Sequence, residues 1–159
     1  MNIRRILIGI ENYKELNKEY PASASYLKQS TNDWIYWQST RRLENSPAVA
    51  LINRSDLVCP LDTGNRHRQY PFSYTMNMAF SAVKYLNFKI EPQMIVILEE
   101  ANPDDGEFDP TASNIYALRH RHRVLVGRAD GAVEALTAHH ARQRLKGQPV
   151  PFKPEQRLR

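Results

Sequence analysis

The residues with the clearest chemical potential lie in the stretch IYALRHRHRVLVG, residues 115–127. In a β-strand successive side chains point to opposite faces, so Arg119, Arg121 and Arg123 would share one face. At a rise of about 3.3 Å per residue their side chains would be attached roughly 6.6 Å apart, which suits contacts with successive phosphates or with an acidic protein surface. The pattern predicts an arginine-lined strand face, and the alternative is a face that lies in water or pairs with the chain's own acids.

The opposite face of the same strand would carry His120 and His122. An H-x-H pair on one face can present two imidazoles to one metal ion, but a zinc site needs at least a third ligand. That ligand could be another histidine or an acid, namely His67, His139, His140 or an acid between residues 99 and 109. Because the neighbouring arginines oppose cation binding, a basic patch is the preferred interpretation. A metal-dependent hydrolase that uses His120 and His122 is an alternative.

A further candidate is the segment CPLDTGN, residues 59–65, which contains the apolar-Asp-Thr-Gly sequence. Downstream, VLVGRAD at residues 124–130 contains an apolar-Gly-Arg sequence. In these two segments the chain resembles the retroviral-type aspartic proteases, in which two chains each contribute one aspartate to a pair that shares a proton. The resemblance implies a dimeric protease with Asp62 as the catalytic residue. The alternative is a plain turn, for which these residue types are equally suited.

Cys59 is the only cysteine among the 159 residues, so one chain can form neither an internal disulfide nor an all-cysteine zinc site. It precedes Pro60 and has no identifiable base near it in the sequence, which predicts a small buried apolar side chain rather than a nucleophile. The low cysteine content favours a reducing compartment, and we expect a cytoplasmic protein. No signal peptide is expected, because the N-terminal segment lacks a small-residue cleavage site.

Composition excludes several classes of function. The longest apolar runs, 94–98 among them, have only five residues, whereas a membrane span needs about 18. No phosphate-binding G-x-x-x-x-G-K-[ST] sequence accompanies the apolar run MIVILEE, so a nucleotide hydrolase is not expected. The acidic loop ANPDDGEFDP lacks the ligand order of a calcium loop. We therefore expect no cofactor and no contact with a membrane.

Charge is distributed in blocks along a chain whose net charge is +5. Residues 91–110 contain seven acidic and no basic side chains, whereas residues 111–159 contain ten basic and three acidic ones. Opposed blocks of this size can attract each other within the fold, steer a partner or meet the opposite block of a second copy. The plain alternative is that these charges keep the protein in solution.

Hydrophobic periodicity predicts the elements that must position these residues. Apolar residues between Ile3 and Tyr20 recur at helical spacing, with a strand over Ile3–Ile10 followed by a helix as the alternative. Two further helices are predicted from about Asn32 or Asp33 to Leu43 and from Phe72 to Leu86. A last helix would be capped by Asp130 and ended by Gly147.

The apolar runs Ala48–Ile52 and Met94–Leu98 predict strands. Together these elements predict a single α+β domain over residues 1–147, with about four helices and a mixed or mostly antiparallel sheet of four to five strands. Residues 148–159 contain three prolines and are predicted to form an extended basic C-terminal arm.

These observations favour a non-enzymatic structural or interaction subunit that docks into a larger, repeating or nucleic-acid-containing assembly. We expect the partner to be an acidic protein surface or a nucleic acid, with self-association or membership of a larger complex. The expected contacts are basic residues of the strand, the last helix and the arm: Arg119, Arg121, Arg123, Arg142, Arg144, Lys146, Lys153, Arg157 and Arg159. The aspartic protease at Asp62 and the hydrolase at His120 and His122 are the enzymatic alternatives.

Overall fold

The structure is a computed structural model that describes residues 1–23, 33–37, 43–44, 52–64, 72–81, 89–113 and 115–148. Its main feature is a five-stranded sheet in the order β5-β3-β4-β6-β7. The strands are β3 (Tyr74–Asn77), β4 (Ile95–Glu99), β5 (Glu107–Phe108), β6 (Arg123–Arg128) and β7 (Val133–Thr137). Neighbours in the sheet are antiparallel except β3 and β5, which are parallel. This confirms the predicted α+β class and the mostly antiparallel sheet.

The described residues form two α-helices, α1 (Asn2–Asn17) and α2 (Ala138–Lys146), rather than the predicted four. The helical stripe at the N-terminus is therefore confirmed, and the alternative strand over Ile3–Ile10 is wrong. Ile3, Ile6, Leu7 and Ile10 of α1 are buried, as their spacing of three and four requires. The helix ends at Lys18, which adopts a left-handed conformation and donates its backbone N–H to the carbonyl of Lys14.

The predicted helix from Phe72 to Leu86 is wrong over its first part, where β3 forms instead. Phe72, Met76 and Phe80 are four residues apart, a spacing that suits one face of a helix and equally one face of a strand. Tertiary packing decided between the two, because every residue of β3 is buried between neighbouring strands. Residues 82–88 of that prediction lie outside the described part of the chain.

The predicted helix near residues 32–43 is also wrong where the structure describes it. A short antiparallel pair forms there from β1 (Tyr36–Trp37) and β2 (Leu43–Glu44). The predicted strand over Ala48–Ile52 lies outside the described residues except for Ile52, which is buried and irregular. The arm is likewise outside them from residue 149 onward.

The last helix begins later than predicted, because Asp130 belongs to a hairpin turn between β6 and β7. Gly131 adopts a positive φ of 78° in this turn, a conformation that favours glycine. The cap of α2 is Thr137, whose side chain accepts a hydrogen bond from the backbone N–H of His140 at 3.3 Å. Gly147 follows the helix, so its predicted end is confirmed.

Both faces of the sheet are covered. Leu125 belongs to the hydrophobic cluster that contains α1, whereas Val124 and Val126 belong to the cluster that contains Leu145 of α2. Because adjacent strand residues point to opposite faces, the two helices pack on opposite sides of β6. No helix in the described ranges is long and apolar enough to cross a membrane.

A β-bulge in β4 sets which of its side chains reach the α1 side of the sheet. The pairing with β6 shifts between Ile95 and Ile97, and as a result Ile95 packs with the α2 cluster while Ile97 packs with the α1 cluster. Glu99 follows Ile97 by two residues and therefore points to the α1 side. The bulge thus directs a carboxylate into the sheet face on which residues 57–59 also pack.

Candidate metal centre

Cys59 is held in a tight turn at the edge of the α1-side core. The backbone N–H of Asp62 donates to the carbonyl of Cys59 at 2.9 Å, which closes a β-turn with Pro60 at the position that favours proline. The N–H of Cys59 donates to Ser73 Oγ at 3.0 Å. The thiol is 1% exposed, so the predicted burial of Cys59 is confirmed.

Glu99, the last residue of β4, is fully buried. Its Oε2 accepts a long hydrogen bond of 3.4 Å from the backbone N–H of Leu125. Its Oε1 lies 3.1 Å from Nε2 of His120. A fully buried carboxylate is costly without a positive or hydrogen-bonding partner, so its position indicates a specific role.

His120 lies in a two-residue turn rather than in the middle of a strand. The backbone groups of His120 and Arg123 bond to each other in both directions at 3.1 Å. Between them, Arg121 and His122 have φ angles of 53° and 62°, the geometry of a type I′ turn. Such angles are uncommon for arginine and less so for histidine, and strained backbone of this kind clusters at functional sites.

The side chains of Cys59, Glu99 and His120 converge on one point. Their ligand atoms all lie within 4.8 Å of one another. Cys59 Sγ lies 3.4 Å from His120 Nε2, and the same nitrogen lies 3.1 Å from Glu99 Oε1. Zinc bonds of about 2.0 to 2.3 Å in a tetrahedron place ligand atoms roughly 3.3 to 3.8 Å apart. The two distances from His120 Nε2 match that requirement to within a few tenths of an ångström.

A cysteine-histidine-glutamate catalytic triad would need a different arrangement. In a triad the histidine contacts its nucleophile through one ring nitrogen and its carboxylate through the other. Here a single nitrogen of His120 faces both groups. Burial, together with the hydrogen bond to Glu99, raises the pKa of the Cys59 thiol to about 11, so the metal-free thiol is protonated at neutral pH. The arrangement favours a metal site over a nucleophile.

Two neighbouring groups partly offset the effect of burial on the pKa of the Cys59 thiol. The backbone N–H of Leu61 hydrogen-bonds to Cys59, and the positive charge of Arg119 also lowers the pKa of the thiol, although burial has the larger effect. Tyr74 shares a side-chain hydrogen bond with Cys59, and burial raises the pKa of its hydroxyl, so the hydroxyl keeps its proton for donation. Hydrogen bonds of this kind orient metal ligands and tune the metal.

Asp62 connects the turn that carries Cys59 to the segment that carries His120. Its Oδ2 lies 2.8 Å from a guanidinium nitrogen of Arg119 and accepts a 2.8 Å hydrogen bond from Ser73 Oγ. Arg119 also donates to the carbonyl of Glu100 at 3.0 Å. Because Asp62 is 9% exposed and Arg119 15%, this ion pair is shielded from water. The pair clamps the two chain segments of the candidate metal centre together.

The predicted arginine-lined strand face is wrong. Residues 119–122 lie outside the strand, which begins at Arg123. Arg119 turns inward to Asp62, while Arg121 and Arg123 are exposed. The H-x-H pair is also separated, because His122 is exposed at the turn while His120 faces Cys59 and Glu99.

Of the remaining predicted contact residues, the three on α2 lie apart from this site. Arg142 and Lys146 are exposed on α2, and Arg144 pairs with Glu134 at 3.4 Å. Lys153, Arg157 and Arg159 lie outside the described residues. His139 and His140 are both exposed on the first turn of α2.

Sequence reasoning allowed an acid between residues 99 and 109 as a partner for the histidine pair, but it did not select Glu99 or connect Cys59 to it. The available signal was an acid directly after the apolar run MIVIL, a place where a carboxylate can be carried into the core by the strand before it. No protein-family model, curated protein or solved structure matches this chain.

Proposed function

We propose that this protein binds a zinc ion through Cys59, Glu99 and His120. The observation that carries the proposal is the convergence of a thiol, a carboxylate and an imidazole nitrogen within 4.8 Å of one another, with Cys59 and Glu99 buried. This mixture of sulfur, nitrogen and oxygen ligands is typical of zinc. The two anionic ligands would neutralise the charge of Zn²⁺, which a buried site favours.

Three protein ligands leave one position of a tetrahedral ion for water or for another ligand. Zinc sites with this ligand number are characteristic of catalysis, in which the ion acidifies its water or polarises a bound oxygen. Water or another ligand would reach this open position from the side of His120, since the His120 side chain is 26% exposed while that of Glu99 is fully buried.

The test is metal binding by the full chain after removal of bound metal with a chelator. We expect one zinc ion per chain, and one cobalt ion that shows a thiolate charge-transfer band. The variants Cys59→Ser, Glu99→Gln and His120→Ala should weaken zinc binding by more than about 100-fold, because loss of an outer-shell partner alone costs about 10 to 100-fold. Circular dichroism would establish that each variant is folded.

The matched control is His122→Ala, which removes an exposed histidine two residues from the site. It should leave zinc affinity within about twofold, since His122 is not among the clustered ligands. A wild-type chain that binds no zinc, or equal zinc affinity in folded Cys59→Ser and wild type, would refute the proposal. Loss of zinc from the His122→Ala variant would instead support the H-x-H site.

A second candidate function, docking onto an acidic protein surface or a nucleic acid, is supported by the exposed turn beside the site. Arg121 and Arg123 are exposed there, and among the described residues neither has an ion pair. Replacement of both by glutamine should reduce binding to an acidic polymer and flatten its dependence on salt, whereas Arg4→Gln on α1 should not. Salt-independent behaviour of the wild type would count against this candidate.

The geometry gives the aspartic protease no comparable support. The carboxylate of Asp62 accepts from Ser73 and forms an ion pair with Arg119. A protease aspartate must share a proton with a second carboxylate. The contacts of Asp62 favour a positioning role for this residue.

A further inference from the structure

A cavity of about 300 Å³ lies between the loop at residues 110–113, Tyr116 and the C-terminal half of α2. Its size is at the lower end of the range for small-molecule sites. It belongs to the α2 side of the sheet, whereas Cys59 belongs to the α1 side. The cavity is therefore separate from the candidate metal centre, and a ligand bound in it would not depend on zinc.

Two positive side chains line this cavity, Arg142 and Lys146. They are four residues apart on α2 and so lie on the same face of the helix. In the described part of the chain neither forms an ion pair, whereas Arg144 between them pairs with Glu134. None of the described lining residues is acidic. Among the described residues, the lining therefore contains two cations, no acid and no ion pair from either cation to an acid.

The rest of the lining is partly polar and partly apolar. Thr111 and Ser113 add polar residues to the lining. The nearby Asp109 is already engaged, since its Oδ1 accepts from the N–H and the hydroxyl of Thr111 at 2.8 and 2.7 Å. Leu145 and the ring of Tyr116 add apolar surface. A ligand that fits this lining has one anionic group and one apolar body.

We propose that this cavity binds a small organic phosphate. A guanidinium matches two phosphate oxygens at once, and a lysine ammonium on the same face can bond a further oxygen. A carboxylate carries a single negative charge, whereas a phosphate monoester carries about 1.5 to 2 at neutral pH and so matches the two cations better. Leu145 and Tyr116 provide the contact surface for an aromatic or aliphatic body of the ligand.

The experiment titrates the full chain with phenyl phosphate, which carries one phosphate and one apolar ring, and follows binding by calorimetry. Arg142→Gln and Lys146→Gln should each weaken binding by about tenfold or more, because each removes a charge-assisted hydrogen bond. The control Arg4→Gln makes the same charge change at an exposed position on α1 and should leave the affinity within about twofold.

One comparison ligand and one metal condition complete the test. Benzoate, with the same ring but a carboxylate, should bind at least about tenfold more weakly than phenyl phosphate. Affinity for phenyl phosphate should be the same with and without zinc, which distinguishes failure of this site from failure of the metal centre. Equal affinity in the folded Arg142→Gln variant and the wild type, or equal affinity for benzoate and phenyl phosphate, would overturn the proposal.

Discussion

At the candidate metal centre, the chemistry of each side chain depends on its contacts in the fold rather than on its neighbours in the sequence. Cys59 is next to a proline, Glu99 ends a strand, and His120 begins a strained turn. Each would be ordinary alone. Together they form a buried group of ligands, and the metal-free site has a protonated thiol because burial raises the pKa of Cys59 to about 11.

The thiol gives the stability of the metal-free protein a defined pH dependence. Because its pKa is raised from 9.0 to about 11 in the fold, the folded state retains a proton that the unfolded state loses as the pH rises through this window. The contribution of the neutral thiol is present below about pH 9 and declines towards pH 11, by about 2 to 3 kcal/mol for two pKa units.

The measurement is urea unfolding of wild type and Cys59→Ala in the presence of a chelator. The variant loses packing contacts at every pH. The informative quantity is therefore how the difference between the two free energies of unfolding changes with pH. We expect that difference to be constant from pH 7 to about 8 and to shift against the wild type between pH 9 and 11. A difference that stays constant up to pH 11 would show that the thiol pKa is not raised.

At the level of helices and strands, close approach of α1 to the sheet is as important as hydrophobic patterning. Gly127 in β6 lies beneath Leu7 of α1 and beside Ile97 of β4. A Cβ at this position would lie 2.6 Å from Leu7 Cδ1 and 2.7 Å from Ile97 Cγ2. Glycine is therefore required here for packing, since its backbone does not adopt a positive φ.

The variant Gly127→Ala should lower the free energy of unfolding by about 1 to 3 kcal/mol, the usual cost of overpacking a core. Gly64→Ala is the matched control, because the nearest atom to its added Cβ would be 3.7 Å away. We expect that control to change stability by no more than about 0.5 kcal/mol. Equal effects of the two substitutions in denaturant titrations would contradict the packing argument.

For the protein as a whole, the proposed metal centre joins three distant parts of the chain. The turn at residues 59–62, the end of β4 and the turn at residues 120–123 meet there, and the ion pair of Asp62 with Arg119 supports the junction. A ligand that binds only the folded state raises the stability of the entire cooperative unit. Zinc should therefore stabilise more than the local turn.

Free zinc at about 100 times its Kd should add about 2.7 kcal/mol of stability. For a chain of this length that corresponds to a rise in Tm of roughly 5 to 10 °C. The measurement is thermal unfolding with zinc and with chelator, and His120→Ala serves as the control that should show no rise. An equal rise in Tm for His120→Ala and wild type would place the zinc elsewhere.

The sequence by itself determined the α+β class, strand β4 and the end of α2, because each has a local signal such as an apolar run or glycine after a basic turn. It favoured helix α1 through a helical stripe but left a strand over Ile3–Ile10 open. It also identified the residues 59–62 and 119–123 as chemically notable. It misassigned β3, because residues spaced by four satisfy both the helical and the strand period. It likewise placed Arg119, Arg121 and Arg123 on one strand face. That was wrong because side chains alternate between faces only within a strand, and this strand begins at Arg123.

Only the tertiary structure decided how the chemical groups combine. Cys59, Glu99 and His120 are 40 and 21 residues apart along the chain, and no local rule relates them. Their convergence depends on the bulge in β4, the turn at Arg121 and His122, and the clamp between Asp62 and Arg119. Local preferences act over a few residues, whereas a site of this kind is created by contacts between segments that meet only after the sheet has formed.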